Sequence, residues 1–337
     1  KQDIIDERLM AIQPPREVRR MQRPTKERRW WKAKELESWL LFYSIPVLHG
    51  VLSKSCFEHW ACLVEALHIL LGREITSSDI RLAERLLVEF HVRSEIIYGK
   101  SFMTFNMHQV THIVKSVRHW GPLWAHSAFP FESGNGSLKQ AVKAANGIPN
   151  QLCRVLQMQY VAQELSELPS DPRVVHYCKS LESPVTQKTT CSSDGIRFFG
   201  KGITFAQLSS SDGGGGDLPQ NCKQYRRMLL RGTIYTDRQY AINKRTDCSV
   251  VQFSNSSFGS LEALVCGGDK KGYVLVKNIR CSPIKTSLTT VTHVLRVIGE
   301  DPNIIVMPAS DIQSICVMMK IKNGEAYVAA SPNAFML

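Results

Sequence analysis

The sequence changes its pattern near Pro169, and this change divides the 337-residue chain into two parts that must fold differently. Before Pro169, apolar residues recur every three or four positions, which is the period of an amphipathic helix. After about Met228, short β-branched runs alternate with turn-forming residues, which is typical of strands. Residues 180–220 between them are rich in Ser, Thr, Gly and Pro and include four consecutive glycines. We therefore expect an α+β protein, with a mainly helical N-terminal domain followed by a small antiparallel β-rich domain.

The helical part carries clear start and stop signals. Pro46 is expected to end or kink the first helix, and the cluster Thr76–Asp79 supplies capping side chains for the third. Gly99 and Gly121-Pro122 are expected to stop the third and fourth helices. The predicted helices begin at Ala33 and cover, after Pro46, residues 57–71, 79–98, 106–119, 137–145 and 148–165.

The β-rich part is expected to form a small antiparallel barrel or sandwich. Gly267-Gly268-Asp269 is a turn signal between two of its strands. Its predicted strands cover residues 248–254, 261–266, 272–279, 304–307, 315–321 and 326–329. Together these patterns predict four segments, namely a basic arm at 1–34, a helical domain at 35–168, a flexible linker at 169–222 and the β-rich domain at 223–337.

The charge of the chain favours a polyanionic partner, with nucleic acid first. The net charge is +12, and residues 16–34 hold nine Lys or Arg against two Glu. Basic side chains next to Trp30 and Trp31 suit phosphate contact combined with base stacking. The alternative is a solvated arm whose tryptophans dock on the following helix. The candidate nucleic-acid-binding residues are Arg19, Arg20, Arg23, Lys26, Arg28, Arg29, Trp30 and Lys32.

The composition also limits the compartment and the kind of partner. No run approaches the ~18 apolar residues that a membrane span needs. The ten cysteines are scattered, and none forms a Cys-x-x-Cys pair, so reduced thiols are expected. We therefore expect an intracellular protein, nuclear or cytoplasmic, with no membrane partner.

Two histidines in the fourth predicted helix form a candidate metal site. His108 and His112 lie four residues apart, a spacing that places both imidazoles on one helix face and can hold one zinc ion. A closed zinc site needs four ligands, and no Cys-x-x-Cys supplies the other two. The alternative is two packed or surface histidines.

Glu132 is a candidate catalytic acid because it is the only carboxylate between Glu95 and Glu164. It follows the apolar run Ala128–Phe131 and precedes Gly134-Asn135-Gly136. A lone acid in such surroundings either has a raised pKa or holds a cation. The alternative is an acid in a first helical turn that interacts with the helix dipole.

These strings together resemble the C-terminal part of CACTA (En/Spm-type) transposases, in the region that includes a domain of unknown function. The resemblance rests on Thr104–His112, Val117–Trp124 and Phe131–Lys139, and extends from about Ile5 to Leu168. It also includes Trp31–Glu35, Leu41–Leu48 and Tyr98-Gly99. The combined string is specific, whereas each piece alone is weak.

The resemblance implies an RNase H-like core with three acids and two metal ions that cut and transfer DNA strands. Glu132 would be the third acid, and the helical region would be the insertion before it. His108 and His112 would be half of a zinc site. The two Cys and the first two acids would lie N-terminal to this chain, so Mg²⁺ and Zn²⁺ are expected only in a full-length relative.

The expected function is therefore that of a transposon-derived, transposase-like fragment that binds DNA weakly and is catalytically inactive alone. It would be an incomplete DDE-type transposase that lacks two of three acids. The alternative is a domesticated protein-interaction or regulatory module that uses its β-rich domain on protein partners and has no DNA activity. An active nuclease would require acids that this sequence does not show.

Overall fold

The structure is a computed structural model that describes residues 1–18, 20–167, 171–182, 189–204, 218–321 and 324–333. A π-helical turn at Trp39–Tyr43 joins the second and third α-helices. The α-helices are α1 Gln2–Met10, α2 Ala33–Ser38, α3 Ser44–Leu48, α4 Lys54–Leu70, α5 Ser77–Tyr98, α6 Phe105–Val110, α7 Ile113–Trp120, α8 Phe129–Ala141, α9 Ile148–Glu167, α10 Pro172–Glu182 and α11 Arg238–Ala241.

The strands follow the helices, apart from the short α11, so the predicted mixed architecture is confirmed. The described pairings are all antiparallel. The strands are β1 Thr189–Cys191, β2 Arg197–Phe199, β3 Ile203–Thr204, β4 Lys223–Tyr225, β5 Arg227–Leu230, β6 Thr233–Thr236, β7 Val250–Phe253, β8 Phe258–Cys266, β9 Gly272–Lys285, β10 Thr290–Pro308, β11 Ile312–Lys320 and β12 Ala326–Ala330. Each of the six predicted strands falls on an observed one, although β9 and β10 are much longer than predicted.

The chain forms two compact units. The body comprises Lys1–Trp124 and Lys188–Leu337, and the helical unit comprises Ala125–Gln187. Helices and strands share one hydrophobic core in the body, because α1, the π-helical turn, α3, α4 and strands β9 to β12 all contribute buried residues to it. Apolar helix faces and apolar sheet faces must each be covered, and here they cover each other.

The larger sheet of the body closes on itself. Its strand order is β3-β4-β8-β7-β11-β12-β10-β9, and β9 also pairs with β8, so six of the strands form a closed ring. A second sheet of four strands has the order β1-β2-β5-β6. Closure removes free strand edges between β8 and β9, which would otherwise be open to pairing with other chains.

The closed ring is apolar on both faces. Val328 and Cys316 belong to one cluster, whereas their neighbours Tyr327 and Val317 belong to the core shared with the helices. This follows from the alternation of side chains along a strand, which sends successive residues to opposite faces. A third cluster, which includes Phe253, fills the space between the ring and the four-stranded sheet.

Helix α4 joins the strands to the other helices. One of its faces packs in the core shared with the sheet, and another packs against α5, α6 and α7. Glu58 and Glu65, two turns apart on α4, accept hydrogen bonds from the β9–β10 connection and from the start of β10, respectively. The donors are Ser287 to Glu58 and Thr292 to Glu65, at distances from 2.6 to 3.1 Å.

Three helix predictions need correction. Of the two expectations for Pro46, an end of the helix is not observed, because α3 continues to Leu48; the irregularity lies just before the proline, in the π-helical turn at Trp39–Tyr43. The helix predicted over 106–119 is divided into α6 and α7, because the hydroxyl of Thr111 donates to the carbonyl of His108 at 2.7 Å and favours a tight turn. The helix predicted over 137–145 begins instead at Phe129, with Pro130 in its first turn.

The segment predicted as a linker, 169–222, is partly structured. Its described residues include α10 and strands β1, β2 and β3, which the count of Ser, Gly and Pro did not reveal. The run of four glycines lies outside the described residues. Buried Phe198 on β2 shows why this region folds, since it packs in the core between the two sheets.

The helical unit has a different character. Its α8–α9 connection is held by Gln151, whose side-chain amide makes four hydrogen bonds to residues 143–146. None of the described side chains of this unit is buried. Across the described residues of the chain, no helix is both long and apolar enough to cross a membrane.

Candidate nucleic-acid interface

The basic N-terminal segment is not a loose arm but is fastened to the body. The backbone N–H and the hydroxyl of Thr25 both donate to the carboxylate of Asp6 at 2.6 Å. The side-chain amide of the buried Gln22 donates to the carbonyls of Leu9 and Ile12. These contacts hold the segment in one place, so its charged side chains occupy defined positions.

Two of the candidate cations are engaged within the protein. The guanidinium of Arg23 binds both carboxylate oxygens of Glu35, at 2.7 and 2.9 Å, and also contacts the carbonyl of Trp30. This pairing lowers the pKa of Glu35, mainly through the hydrogen bond from Arg23. Lys26 pairs with Asp3 at 2.7 Å. Both cations are therefore partly neutralised, Lys26 by an acid of α1 and Arg23 by an acid of α2.

The remaining candidates form an exposed surface, which we call the Trp30 surface (Arg20, Arg28, Arg29, Trp30 and Lys32). The Trp30 side chain is 59% exposed, and the guanidinium of Arg29 lies 4.8 Å from its ring centroid. An exposed indole beside cations provides a flat stacking surface next to phosphate-binding groups. Arg19 lies outside the described residues. Trp31, by contrast, packs against Trp39, with ring centroids 5.7 Å apart.

His108 and His112 come together although His108 lies in α6 and His112 lies in the following turn, at the N-cap of α7. Their Nε2 atoms are 3.0 Å apart, which is a hydrogen-bond distance, and both side chains are exposed. The pair offers two ligands, whereas a closed zinc site needs four. Among the described residues no group of three or more His, Cys, Asp or Glu could hold a metal ion, so these residues do not form a zinc site by themselves.

Glu132 lies in the first turn of α8, and its side chain is exposed. The N-terminal end of a helix favours a carboxylate, because the first backbone N–H groups of the helix carry partial positive charge. This geometry fits the interpretation of Glu132 as an acid in a first helical turn that interacts with the helix dipole. The absence of a metal-binding group among the described residues means that no two-metal site is assembled around it there.

A shallow apolar groove runs beside Glu132 within the helical unit. Its volume is about 480 Å³, and its walls come from α8 and α9. No charged residue lines it; the lining residues are Pro130, Phe131, Gly134, Asn135, Ser137, Leu138, Ala141, Val155, Leu156 and Gln159. This lining cannot hold a metal ion or a phosphate by charge, but it could accept apolar side chains.

A histidine pair between α4 and β10 was not indicated by any sequence pattern. The rings of His68 and His293 stack with centroids 3.9 Å apart, and His293 Nδ1 lies 3.2 Å from the carboxylate of Glu65. Burial, and then the neighbouring His293, holds the pKa of His68 well below its usual value. Because these residues lie more than 220 positions apart, no local spacing signal could have found them.

A second group missed by the sequence lies on the four-stranded sheet and α11. Arg227 on β5 lies 5.5 Å from the ring centroids of Phe199 and Tyr240, and Lys244 lies 5.5 Å from the Tyr240 ring. We call Phe199, Arg227, Tyr240 and Lys244 the sheet-face cluster. Each residue alone is ordinary in the sequence, and only the sheet register brings Phe199 beside Arg227.

Comparisons with protein-family models, with curated proteins and with solved structures found no match. The transposase resemblance and the RNase H-like core therefore stay predictions.

Proposed function

We propose that this chain is a nucleic-acid-binding, transposase-like protein that binds DNA through the Trp30 surface and has no strand-cutting activity by itself. The observation that carries the proposal is the exposed Trp30 ring with Arg29 stacked beside it, on a segment fixed to the body. A fixed cation–aromatic surface can contact phosphates and bases without first ordering a flexible arm.

The distribution of charge supports this proposal. The helical unit, Ala125–Gln187, contains five Lys or Arg and five Asp or Glu, so the net charge of +12 falls on the rest of the chain. Arg23 and Lys26 are paired with acids, whereas no ion pair links Arg20, Arg28 or Arg29 to a described acid. These three cations are therefore the ones available to phosphates.

The transposase part of the proposal rests on the string Thr104–Lys139 and on two features that fit it. The His108 and His112 rings meet, as a half zinc site requires. Glu132 is exposed and could be presented to other groups. Without two further acids no metal pair would form, so we expect no magnesium-dependent nicking of plasmid DNA. If the wild-type chain nicks DNA and Glu132→Gln abolishes that nicking, the expectation of no strand-cutting activity is contradicted. The proposed DNA binding is not affected by that result.

DNA binding is tested by fluorescence anisotropy with labelled single-stranded and duplex oligonucleotides. The wild-type chain should bind both forms at low salt and lose affinity steeply as salt rises from about 50 to 200 mM, because phosphate contacts release counterions. Arg28→Ala/Arg29→Ala should reduce the slope of log affinity against log salt by about 1.5 to 2. Trp30→Ala should weaken single-strand binding by about 1–3 kcal/mol.

The matched control is Arg81→Ala/Arg85→Ala, which removes the same charge from two exposed arginines of α5. It should leave the salt slope nearly unchanged. Equal losses in both double variants would mean that net charge alone drives binding. Absence of binding to either DNA form at low salt would end the proposal.

A second candidate function is a protein-interaction module. The observation in its favour is the α8–α9 groove, together with exposed apolar side chains such as Phe131 (74%) and Met158 (63%). Such side chains on a soluble protein often mark a binding surface. Two results together would favour this function over the first. The wild-type chain would self-associate or bind a partner in a way that Phe131→Asp abolishes, and it would not bind DNA.

A further inference from the structure

The four-stranded sheet presents one face to the core of the body and the other away from it. On the paired strands β2 and β5, Phe198 and Met228 are fully buried in the core between the sheets. Because side chains alternate along a strand, the neighbouring Arg197, Phe199 and Arg227 lie on the opposite, outer face. Arg197 is exposed, and the other two are half-exposed.

The outer face is organised by cation–aromatic contacts. The Arg227 guanidinium lies within 5.5 Å of two ring centroids, those of Phe199 and Tyr240, and the Lys244 ammonium lies at the same distance from Tyr240. These distances are within the range of cation–π attraction. Tyr240 is positioned by α11, whose first turn is capped by Asp237, which accepts from the Tyr240 backbone N–H at 2.7 Å. Rings and cations are therefore held together before any ligand arrives.

Positive charge dominates this face. Arg197, Lys244 and Arg245 form no ion pair with a described acid. The nearest acid in sequence to Tyr240 is Asp237, which is fully buried and pairs with Arg226 at 3.2 Å. The Tyr240 ring leaves the charge of Lys244 uncancelled, whereas a carboxylate partner would cancel it.

This face also adjoins the basic N-terminal segment. The side chain of Gln13 donates to the carbonyl of Lys244 at 2.8 Å, and the backbone N–H of Asp247 donates to the carbonyl of Pro14 at 3.1 Å. The backbone N–H of Arg16 contacts the sulfur of Cys248 at 3.4 Å. The backbone of the exposed Arg16 is thus held close to the segment that carries Lys244 and Arg245.

From these observations we infer that the sheet-face cluster is a binding site for single-stranded nucleic acid. Tyr240 and Arg227 present a ring and a planar guanidinium to the bases, while Arg197, Lys244 and Arg245 contact phosphates. Only a single strand exposes base faces, since a duplex stacks its bases inside. The inference rests on the proposed nucleic-acid binding and adds a strand preference and a second surface to it.

The test measures binding of labelled oligothymidine of about 20 nucleotides, longer than the roughly 4–16 nucleotides that a single-strand site spans. A duplex of the same length serves as the second ligand. Tyr240→Ala should weaken oligothymidine binding by about fivefold to a hundredfold, the usual range for losing one stacked base. Its effect on the duplex should be much smaller. Tyr240→Phe keeps the ring and should bind like the wild type.

The matched control is Tyr160→Ala, which removes a tyrosine that is 65% exposed on α9. It should leave both affinities unchanged. If Trp30→Ala weakens binding but Tyr240→Ala does not, this inference fails while DNA binding through the Trp30 surface stands. If Tyr240→Ala weakens single strand and duplex equally, the cluster senses only phosphate charge, and the inference is again overturned. Displacement of oligothymidine by polyglutamate at equal charge concentration would point instead to an acidic protein partner.

A second measurement covers the case in which Tyr240→Ala does not fold. Wild-type protein is photocrosslinked to oligothymidine carrying 4-thiothymidine, and the attached peptides are identified by mass spectrometry. Crosslinks should fall on residues 197–199 and 238–245. Crosslinks confined to other peptides would contradict the inference without any variant. Lys244→Ala, at an exposed position, should also weaken binding without affecting the fold.

Discussion

The body around α4 and the helical unit around α8 are both built largely from helices, yet they are stabilised very differently. In the body, α4 has apolar faces toward the strands and toward α5, and its two buried carboxylates accept hydrogen bonds from Ser287 and Thr292. In the helical unit, none of the described side chains is buried, and α8 contains Gly134 and Gly136 in its interior. Burial of apolar surface is the main stabilising contribution in a folded protein, so the two regions should differ greatly in stability.

This difference in burial indicates which of the two regions can hold a preformed binding surface. The body is rigid enough to hold cations and rings in fixed positions, as the Trp30 surface and the sheet-face cluster require. The helical unit has low local burial, which is the property of regions that open or change partners easily. Glu132 lies in the helical unit and therefore in such a region of low burial.

The largest expected effect compares one phenylalanine from each region. Phe253→Ala removes a fully buried ring and should lower the free energy of unfolding of the body by about 3–5 kcal/mol. Phe131→Ala removes a ring that is 74% exposed and should change it by less than about 0.5 kcal/mol. Urea unfolding followed by tryptophan fluorescence measures this, because all six tryptophans lie within Lys1–Trp124. Similar losses in both variants would show that the comparison is wrong.

The second prediction concerns the hydrogen bonds that fasten α4 to the strands. Glu65→Ala leaves the backbone N–H and hydroxyl of Thr292 and a ring nitrogen of His293 without their acceptor. We expect a loss of about 1–3 kcal/mol in the stability of the body, because the buried His293 would be left without its hydrogen-bond partner. Glu164→Ala, at an exposed position of α9, is the control and should have no measurable effect.

The third prediction uses pH. Burial lowers the pKa of His68 well below its usual value, and the backbone and hydroxyl groups of Ser287 lower the pKa of Glu58. For both groups the unfolded chain binds protons more readily than the folded chain, so stability must fall as pH falls. The histidine contribution is lost as pH drops below about 6.5, and the carboxylate contribution as it drops below about 4.5.

The measurement is the urea midpoint of the body between pH 4 and 8. The midpoint should decrease on acidification, and His68→Leu should flatten the part of the curve near pH 6. Hydrogen exchange of peptides from α8 and α9, corrected for the intrinsic effect of pH, should change far less. A midpoint that rises on acidification would contradict the assigned pKa directions.

Sequence patterns found the helices whose ends carry local signals. Helix α5 begins and ends as predicted, because Thr76 and Asp79 cap each other and Gly99 takes a positive φ at the end. Helix α4 also matches closely, from Lys54 to Leu70 against a predicted 57–71. Such signals act within a few residues, so a single sequence shows them.

Features set by distant contacts were not predictable. The sequence pattern predicts a helix only from residue 137, yet α8 begins at Phe129 and runs through Gly134 and Gly136. The rings of His108 and His112 meet, although the helix that their spacing assumes is broken between them. The sheet-face cluster needs the register that places Phe199 opposite Arg227, and no local pattern contains that information.

The smallest expected effect is a stabilisation of the helical unit rather than a loss of stability in the body. Gly134 and Gly136 lie inside α8 with negative φ, and a Cβ added at either would meet nothing within 4 Å. Replacing either by Ala should stabilise α8 by about 0.5–1 kcal/mol, because alanine loses less backbone freedom on folding into a helix. Slower hydrogen exchange in residues 129–141, with an unchanged urea midpoint of the body, would be the signature.

Gly259→Ala on β8 is the matched control, since its Cβ would lie 2.3 Å from the Val276 side chain, and it should destabilise the body instead. If Gly134→Ala speeds exchange in α8, then that helix needs its glycines for close packing, and the helical unit is more tightly organised than its exposed side chains indicate.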